Sequence, residues 1–201
     1  MSNFSPAPGS TRLAAVALSA TLLLLAACSA MNGNNIHRVV RGDWATYGPT
    51  KLVYALSKGP VPVVVQGDPF SEGNAFPDRV AALMQGKPAW APRGTYVAAS
   101  DAEGSAYYLT FVFDPPPGYN GHDACAGHYP RPDARSSNGI VVAAFCSSAR
   151  LESEVRAQSA NISDSGGAEF GRFLGLVMSE LLPYRAGYIG PIGPVTLARI
   201  Y

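Results

Sequence analysis

AYYLTFVFD, residues 106–114, is the stretch whose reading decides the fold. Its aromatic and β-branched content marks a strand. Alternation puts Tyr107, Leu109, Phe111 and Phe113 on one apolar face, and Tyr108, Thr110 and Val112 on a second, more mixed one. An apolar strand face needs another layer laid against it, and the flanking sequence supplies one. TYVAAS (95–100) reads as a strand joined to the first by DAEG, whose Asp and Gly favour a hairpin turn. VPVVVQ (61–66) is a β-branched strand halted by Gly67-Asp68-Pro69. Between these two, NAFPDRVAALMQGK carries Phe76, Val80, Leu83 and Met84 at i, i+4, i+7 and i+8, a helical stripe. Asn74 is placed to cap that helix, Pro77 falls in its first turn, and Gly86 and Pro88 end it.

Downstream, residues 115–138 read as one long loop, and GIVVAAFCS (139–147) as another apolar strand. ARLESEVRAQSA fits a helix through Leu151 and Val155 at i, i+4. It equally fits a strand face through Leu151, Ser153 and Val155, and a strand pairing back on its predecessor is preferred. AEFGRFLGLVMSELL (168–182) is the strongest helix. Phe170, Phe173, Leu174, Val177, Met178 and Leu181 form its stripe, and Pro183 stops it. Upstream, HRVVRGDWATYGPTKLVYALSKG reads as one or two short strands broken at Gly48-Pro49. The order predicts a single α+β domain over 36–182, with a mixed, mostly antiparallel sheet and two main helices packed on one face. A Gly/Pro-rich tail, 183–201, follows it.

The start of the chain has a different character. Residues 1–12 are polar with one basic side chain, Arg12, and Leu13 to Ala27 are apolar and uncharged. Such a run makes roughly 22 Å of helix, short of the ~30 Å hydrocarbon core, and reads as a secretory signal. Its end, Leu25-Ala26-Ala27-Cys28, resembles the lipobox of bacterial lipoproteins. The resemblance implies cleavage after residue 27, lipidation of Cys28, and a short tether over 28–35. Two or three acyl chains anchor a protein stably where one is marginal. In that class an aspartate after the cysteine commonly signals inner-membrane retention, so Ser29 implies the outer membrane.

Of the 15 Lys and Arg only Arg12 lies in the leader, so 14 remain against 14 Asp and Glu. This zero balance argues against nucleic acid as a partner and against a polybasic membrane patch. Cys125 and Cys146 are the two cysteines left beside Cys28. In an oxidising compartment they predict one disulfide, ahead of free buried thiols or an intermolecular bridge.

Few stretches propose chemistry. Ser163-Asp164-Ser165-Gly166-Gly167 resembles the nucleophile run of trypsin-like proteases over five residues. The histidine context that family requires is missing, so the segment reads as a turn in which Asp164 or Ser165 helps cap the next helix. His122-Asp123-Ala124-Cys125-Ala126-Gly127-His128 could bind a metal through His122 and His128 if Cys125 were a thiolate, which a disulfide would forbid. Asp114 to Tyr119, with three prolines, reads as a rigid exit from its strand; the alternative is an edge offering Tyr119 to a partner or glycan. No motif calls for a cofactor.

VPVVVQGDPF, FVFDPPPGYNG, VVAAFC and the last helix together resemble a group of small proteobacterial envelope lipoproteins, over most of residues 50–182. The resemblance implies no particular activity. The expectation is therefore a non-enzymatic protein on the outer membrane. Its partners would be the bilayer, through acylated Cys28, and an envelope protein bound by the periplasmic domain. The competing expectations are a cell-wall or glycan-directed enzyme using Asp114, His122 and Asp123, and a metal-binding lipoprotein.

Overall fold

The computed structural model describes residues 37–44, 46–130, 139–160 and 162–184. Cys28, Ser29, the tether and nearly all of the tail lie outside them. Six strands form one sheet: β1 (His37–Asp43), β2 (Val61–Gln66), β3 (Tyr96–Ala99), β4 (Tyr107–Phe113), β5 (Ile140–Ser147) and β6 (Arg150–Ser159). Their spatial order is β1-β6-β5-β4-β2-β3. The pairs β1–β6, β6–β5 and β5–β4 are antiparallel, and β4–β2 and β2–β3 are parallel. The α+β class and the mixed, mostly antiparallel sheet are as the sequence predicts.

Among the described residues four helices accompany the sheet: α1 (Pro49–Ser57), α2 (Ala75–Met84), α3 (Gly121–Cys125) and α4 (Ala168–Leu181). The two main helices, α2 and α4, cover one face. Phe76, Val80 and Met84 of α2 and the whole predicted stripe of α4 are buried there against Leu109, Phe111, Phe113, Val141, Ala143 and Phe145. Phe76 is at the centre, its ring within 6 Å of the rings of Phe70, Phe113 and Phe170. Asn74 stands at the N-cap of α2 as expected, but its side chain makes no capping hydrogen bond.

Three local expectations are corrected. The stretch after Gly48 is not a strand. Pro49 opens α1, where its fixed φ and missing N–H suit a first helical position, and Leu52 and Ala55 bury one side of that helix. The two strands flanking DAEG do not form a hairpin. Both pair with β2, one on each side and parallel to it, so the connection passes across β2 from one neighbour to the other. Asp101 still makes the local turn, accepting from the Glu103 amide at 3.0 Å. Lastly, residues 115–138 are not loop throughout, because α3 forms inside them.

The end of α4 shows how the elements lock together. Helix termini leave carbonyls without partners, and Pro183 follows here in place of a capping glycine. Trp44 Nε1 donates to the Glu180 carbonyl at 2.6 Å, Ser153 Oγ to Leu181 at 2.8 Å, and Trp90 Nε1 to Leu182 at 2.7 Å. A bulge opposite Phe145 and Cys146 turns Glu152 inward as well, where Lys51 of α1 pairs with it.

Phe76→Ala should remove about 3–5 kcal/mol of stability in denaturant unfolding. Val53→Ala, at a position 55% exposed on α1, should stay within about 0.5 kcal/mol of the parent.

Candidate functional site

The second face of the sheet carries Tyr108, Val112, Val142, Ala144 and Cys146, all buried. What covers it is α3 with Tyr119, Ala124 and Cys125, joined by partly buried Ala102, Tyr129 and Leu151. Five residues are too few to sustain a helix by propensity, so α3 depends on its ends and its ties. Asn120 is extended, and its side chain accepts from the amides of His122 at 2.9 Å and Asp123 at 3.3 Å. Asp123 Oδ2 accepts the Asn120 amide in return at 3.2 Å, completing a capping box.

Four ties hold α3 to the sheet. Cys125 is disulfide-bonded to Cys146 of β5, with the Cα atoms 5.6 Å apart. Tyr108 O–H donates to the Cys125 carbonyl at 2.6 Å. The Gly121 amide donates to Glu154 Oε2 at 3.0 Å, and Arg156 donates to the Tyr119 carbonyl at 3.2 Å. A side chain at 121 would crowd β6, because a Cβ there would lie 2.8 Å from Leu151 Cδ1 and 3.1 Å from Glu154 Cβ, and both would have to give way.

Beside α3, strands β1 and β6 complete a cleft of about 230 Å³. Arg41 and Asp43 line it from β1, Glu154 and Arg156 from β6, and Gly118, Tyr119, Asn120 and His122 from α3 and its approach. In register, Arg41 stands opposite Arg156 and Asp43 opposite Glu154. The cleft is therefore cationic at one end and anionic at the other. Glu154 is only 4% exposed and takes its hydrogen bond from a backbone amide, not from a guanidinium. Arg41 has no hydrogen-bond or ion-pair partner among the described residues. This arrangement can hold a charged ligand at both of its ends.

The residues proposed from sequence scatter around this cleft. His122 lines it and is exposed; His128, past the helix, is exposed as well. Asp123 is taken up by the capping box, and the Asp114 carboxylate accepts the Ile140 amide at 3.4 Å. With Cys125 in a disulfide, no three His, Cys, Asp or Glu side chains gather to hold a metal ion among the described residues. Tyr119 is buried, so its ring is not offered to a partner. Neither Asp164 nor Ser165 caps α4: the N-cap is Gly167, and the buried Ser165 hydroxyl bonds to Glu72, which also pairs with Arg79.

Sequence reasoning missed the charged quartet, and it missed a chain of side chains around His37. Ser159 Oγ lies 2.7 Å from His37 Nδ1, and Glu169 Oε2 lies 3.3 Å from Nε2. The order hydroxyl–imidazole–carboxylate is that of a nucleophile and its base. However, Ser159 is only 4% exposed, Glu169 is shared with Arg172, and the imidazole packs on Phe173. The group ties β1 to β6 and α4.

Loss of the bridge in Cys125→Ser/Cys146→Ser should lower stability by about 2–4 kcal/mol, measured by denaturant unfolding against the parent. Alkaline pH should also unfold the domain. Burial raises the phenol pKa values of Tyr47, Tyr96, Tyr108, Tyr119 and Tyr129 above 10.0. The unfolded chain loses those protons first, so stability is fully present below pH 10.0 and is lost as pH rises through the folded values. Titration by near-ultraviolet absorbance should show a set of phenols ionising only together with unfolding.

No family model, curated protein or solved structure matches this chain, and the reading of the cleft rests on its own residues.

Proposed function

We propose that this chain is an exported lipoprotein, anchored on the outer membrane through acylated Cys28, whose periplasmic domain is a binding module for an envelope component. The observation that carries the reading is the Cys125–Cys146 bridge, which ties α3, whose first turn and approach line the charged cleft, to β5. Such a bond persists in oxidising compartments and not in a reducing cytosol, which supports export. The leader and its Leu25-Ala26-Ala27-Cys28 end support lipidation, and Ser29 supports the outer membrane as destination. Among the described residues no helix is long and apolar enough to cross a membrane, so attachment falls to the leader and Cys28. The domain's function follows from the cleft: fixed charges on a braced sheet edge hold a ligand without having to be assembled by it.

Cys28→Ser should abolish incorporation of labelled palmitate and leave an unprocessed or released product. Unchanged labelling would refute the anchor. On membrane fractionation the parent should band with the outer membrane and Ser29→Asp should move inward; equal inner-membrane recovery of both would refute the sorting. Crosslinking in intact envelopes should capture a specific partner that Arg41→Gln, an exposed change outside the core, weakens.

A further inference from the structure

Strand β1 carries a bulge between Val39 and Arg41, and the bulge resets its register. Val39 stands opposite Ala157 of β6, so plain alternation would set Val40 opposite Arg156. The extra residue sets Arg41 there instead. Arg156 is also the partner of Val142, which places the two arginines on the sheet face that α3 partly covers. Like charges directly opposite each other on neighbouring strands are destabilising. Among the described residues no carboxylate forms an ion pair with either arginine. Arg38, before the bulge, gives Nη2 to Gln158 Oε1 at 2.9 Å. Arg156 gives Nη1 to the Tyr119 carbonyl at 3.2 Å, which fixes the guanidinium and leaves its Nε–Nη2 edge without a partner among the described residues. Arg41 is exposed and has no partner there at all. Both arginines line the cleft of about 230 Å³, together with Gly118, Asn120 and His122.

Resting on the reading of the domain as a binding module, we infer that the Arg41–Arg156 end of the cleft takes a single carboxylate, borne on a small organic acid or at the end of a peptide chain. A guanidinium binds a carboxylate through two parallel hydrogen bonds, and the Nε–Nη2 edge of Arg156 and the whole of Arg41 are open for that purpose. A carboxylate between the two side chains accepts from both and removes their repulsion, which a neutral amide oxygen does not. The neighbouring residue limits the ligand to one negative charge. Glu154 is two residues from Arg156, about 7 Å along the strand, and its carboxylate opposes a second charge of the same sign. A phosphate monoester, at about −1.5 to −2, is disfavoured there. The acidic end of the cleft is asked for nothing more, since Glu154 accepts the Gly121 amide and Asp43 has a partner of its own. The size fits as well. A volume of about 230 Å³ is below the ~300–1,000 Å³ usual for larger organic ligands, and suits a carboxylate on a short substituent.

The test is calorimetric titration of the full chain, purified in detergent with its disulfide intact. The probes come in acid and amide pairs: propionate with propionamide, and N-acetyl-L-alanyl-L-alanine with its amide. Inorganic phosphate is titrated beside them. At least one of the two acids should bind saturably, about ten-fold or more tighter than its amide. The tighter acid identifies the source, a peptide end for the acetylated dipeptide and a small acid for propionate. Arg41→Gln should bring that acid to the level of its amide, with a denaturant midpoint no lower than the parent's because the like-charge pair is gone. Arg41→Lys should recover part of the loss, since it restores the charge without the fork. Equal affinity for acid and amide in both pairs, no saturable binding of either acid, or phosphate binding tighter than both acids would overturn the carboxylate site. So would an Arg41→Gln chain that binds the acid as the parent does. Failure here alongside palmitate labelling and specific partner capture would leave the binding-module reading standing; loss of labelling and capture would remove that reading whatever the titration shows.

Discussion

Strand β4 has no face to give to water. Leu109, Phe111 and Phe113 are buried on one side, and Tyr108, Thr110 and Val112 on the other. The centre of the sheet must therefore be covered twice. Amphipathic helices do this on the first side, where α2 and α4 bring large aromatic and aliphatic stripes. Among the described residues the second side has no comparable helix, and its cover is assembled from small parts: a five-residue helix, two tyrosines (Tyr119 and Tyr129), and the connection through Ala102. Short pieces bury too little area to hold themselves down, so a covalent bond to β5 and a capping box take over part of that task. The charged cleft is the rim of this second cover, and it exists because α3 stops short of β1.

The same arrangement leaves charged side chains of β1 and β6 at that rim. A longer helix would have laid its own side chains across Arg41, Asp43, Glu154 and Arg156. Gly121 instead brings backbone against β6 so closely that its amide reaches Glu154. The contact holds the carboxylate in position. At the opposite end of the same strands, His37, Ser159 and Glu169 each find a polar partner within the fold. The same pair of strands thus carries a closed polar cluster at one end and, at the other, an exposed Arg41 with no partner among the described residues.

Periodicity made most of the fold legible. Val61–Gln66, the alternation of Tyr107–Phe113 and the stripe of α4 all stand where the pattern places them. What periodicity could not report was partnership. DAEG has sound turn chemistry, yet the strands beside it are separated by β2, because a long-range parallel pairing outcompetes a local hairpin. Helix α1 was obscured by Val53 and Tyr54, which have strand propensity but point outward; Pro49 was the signal that could have revealed it. For α3 the signal was Asn120 with Asp123 three residues on, hidden among glycines and prolines. The alternation of Arg41 with Asp43, and of Glu154 with Arg156, is visible in each strand alone. Their meeting is a matter of register between residues more than a hundred positions apart, and no local pattern encodes it.

The three donors at the end of α4 come from far apart in the chain: Trp44 after β1, Trp90 after α2, and Ser153 in β6. The final helix therefore has no finished docking place until nearly everything before it is folded. Synthesis runs from the amino terminus, so this helix is made after all three of its docking partners. Until residues 168–182 emerge, the apolar face of the sheet lacks half of its lid and remains surface that a chaperone or protease can recognise. Closure of the core therefore waits on α4, and a chain that lacks it keeps that face open however complete the rest of the sheet is.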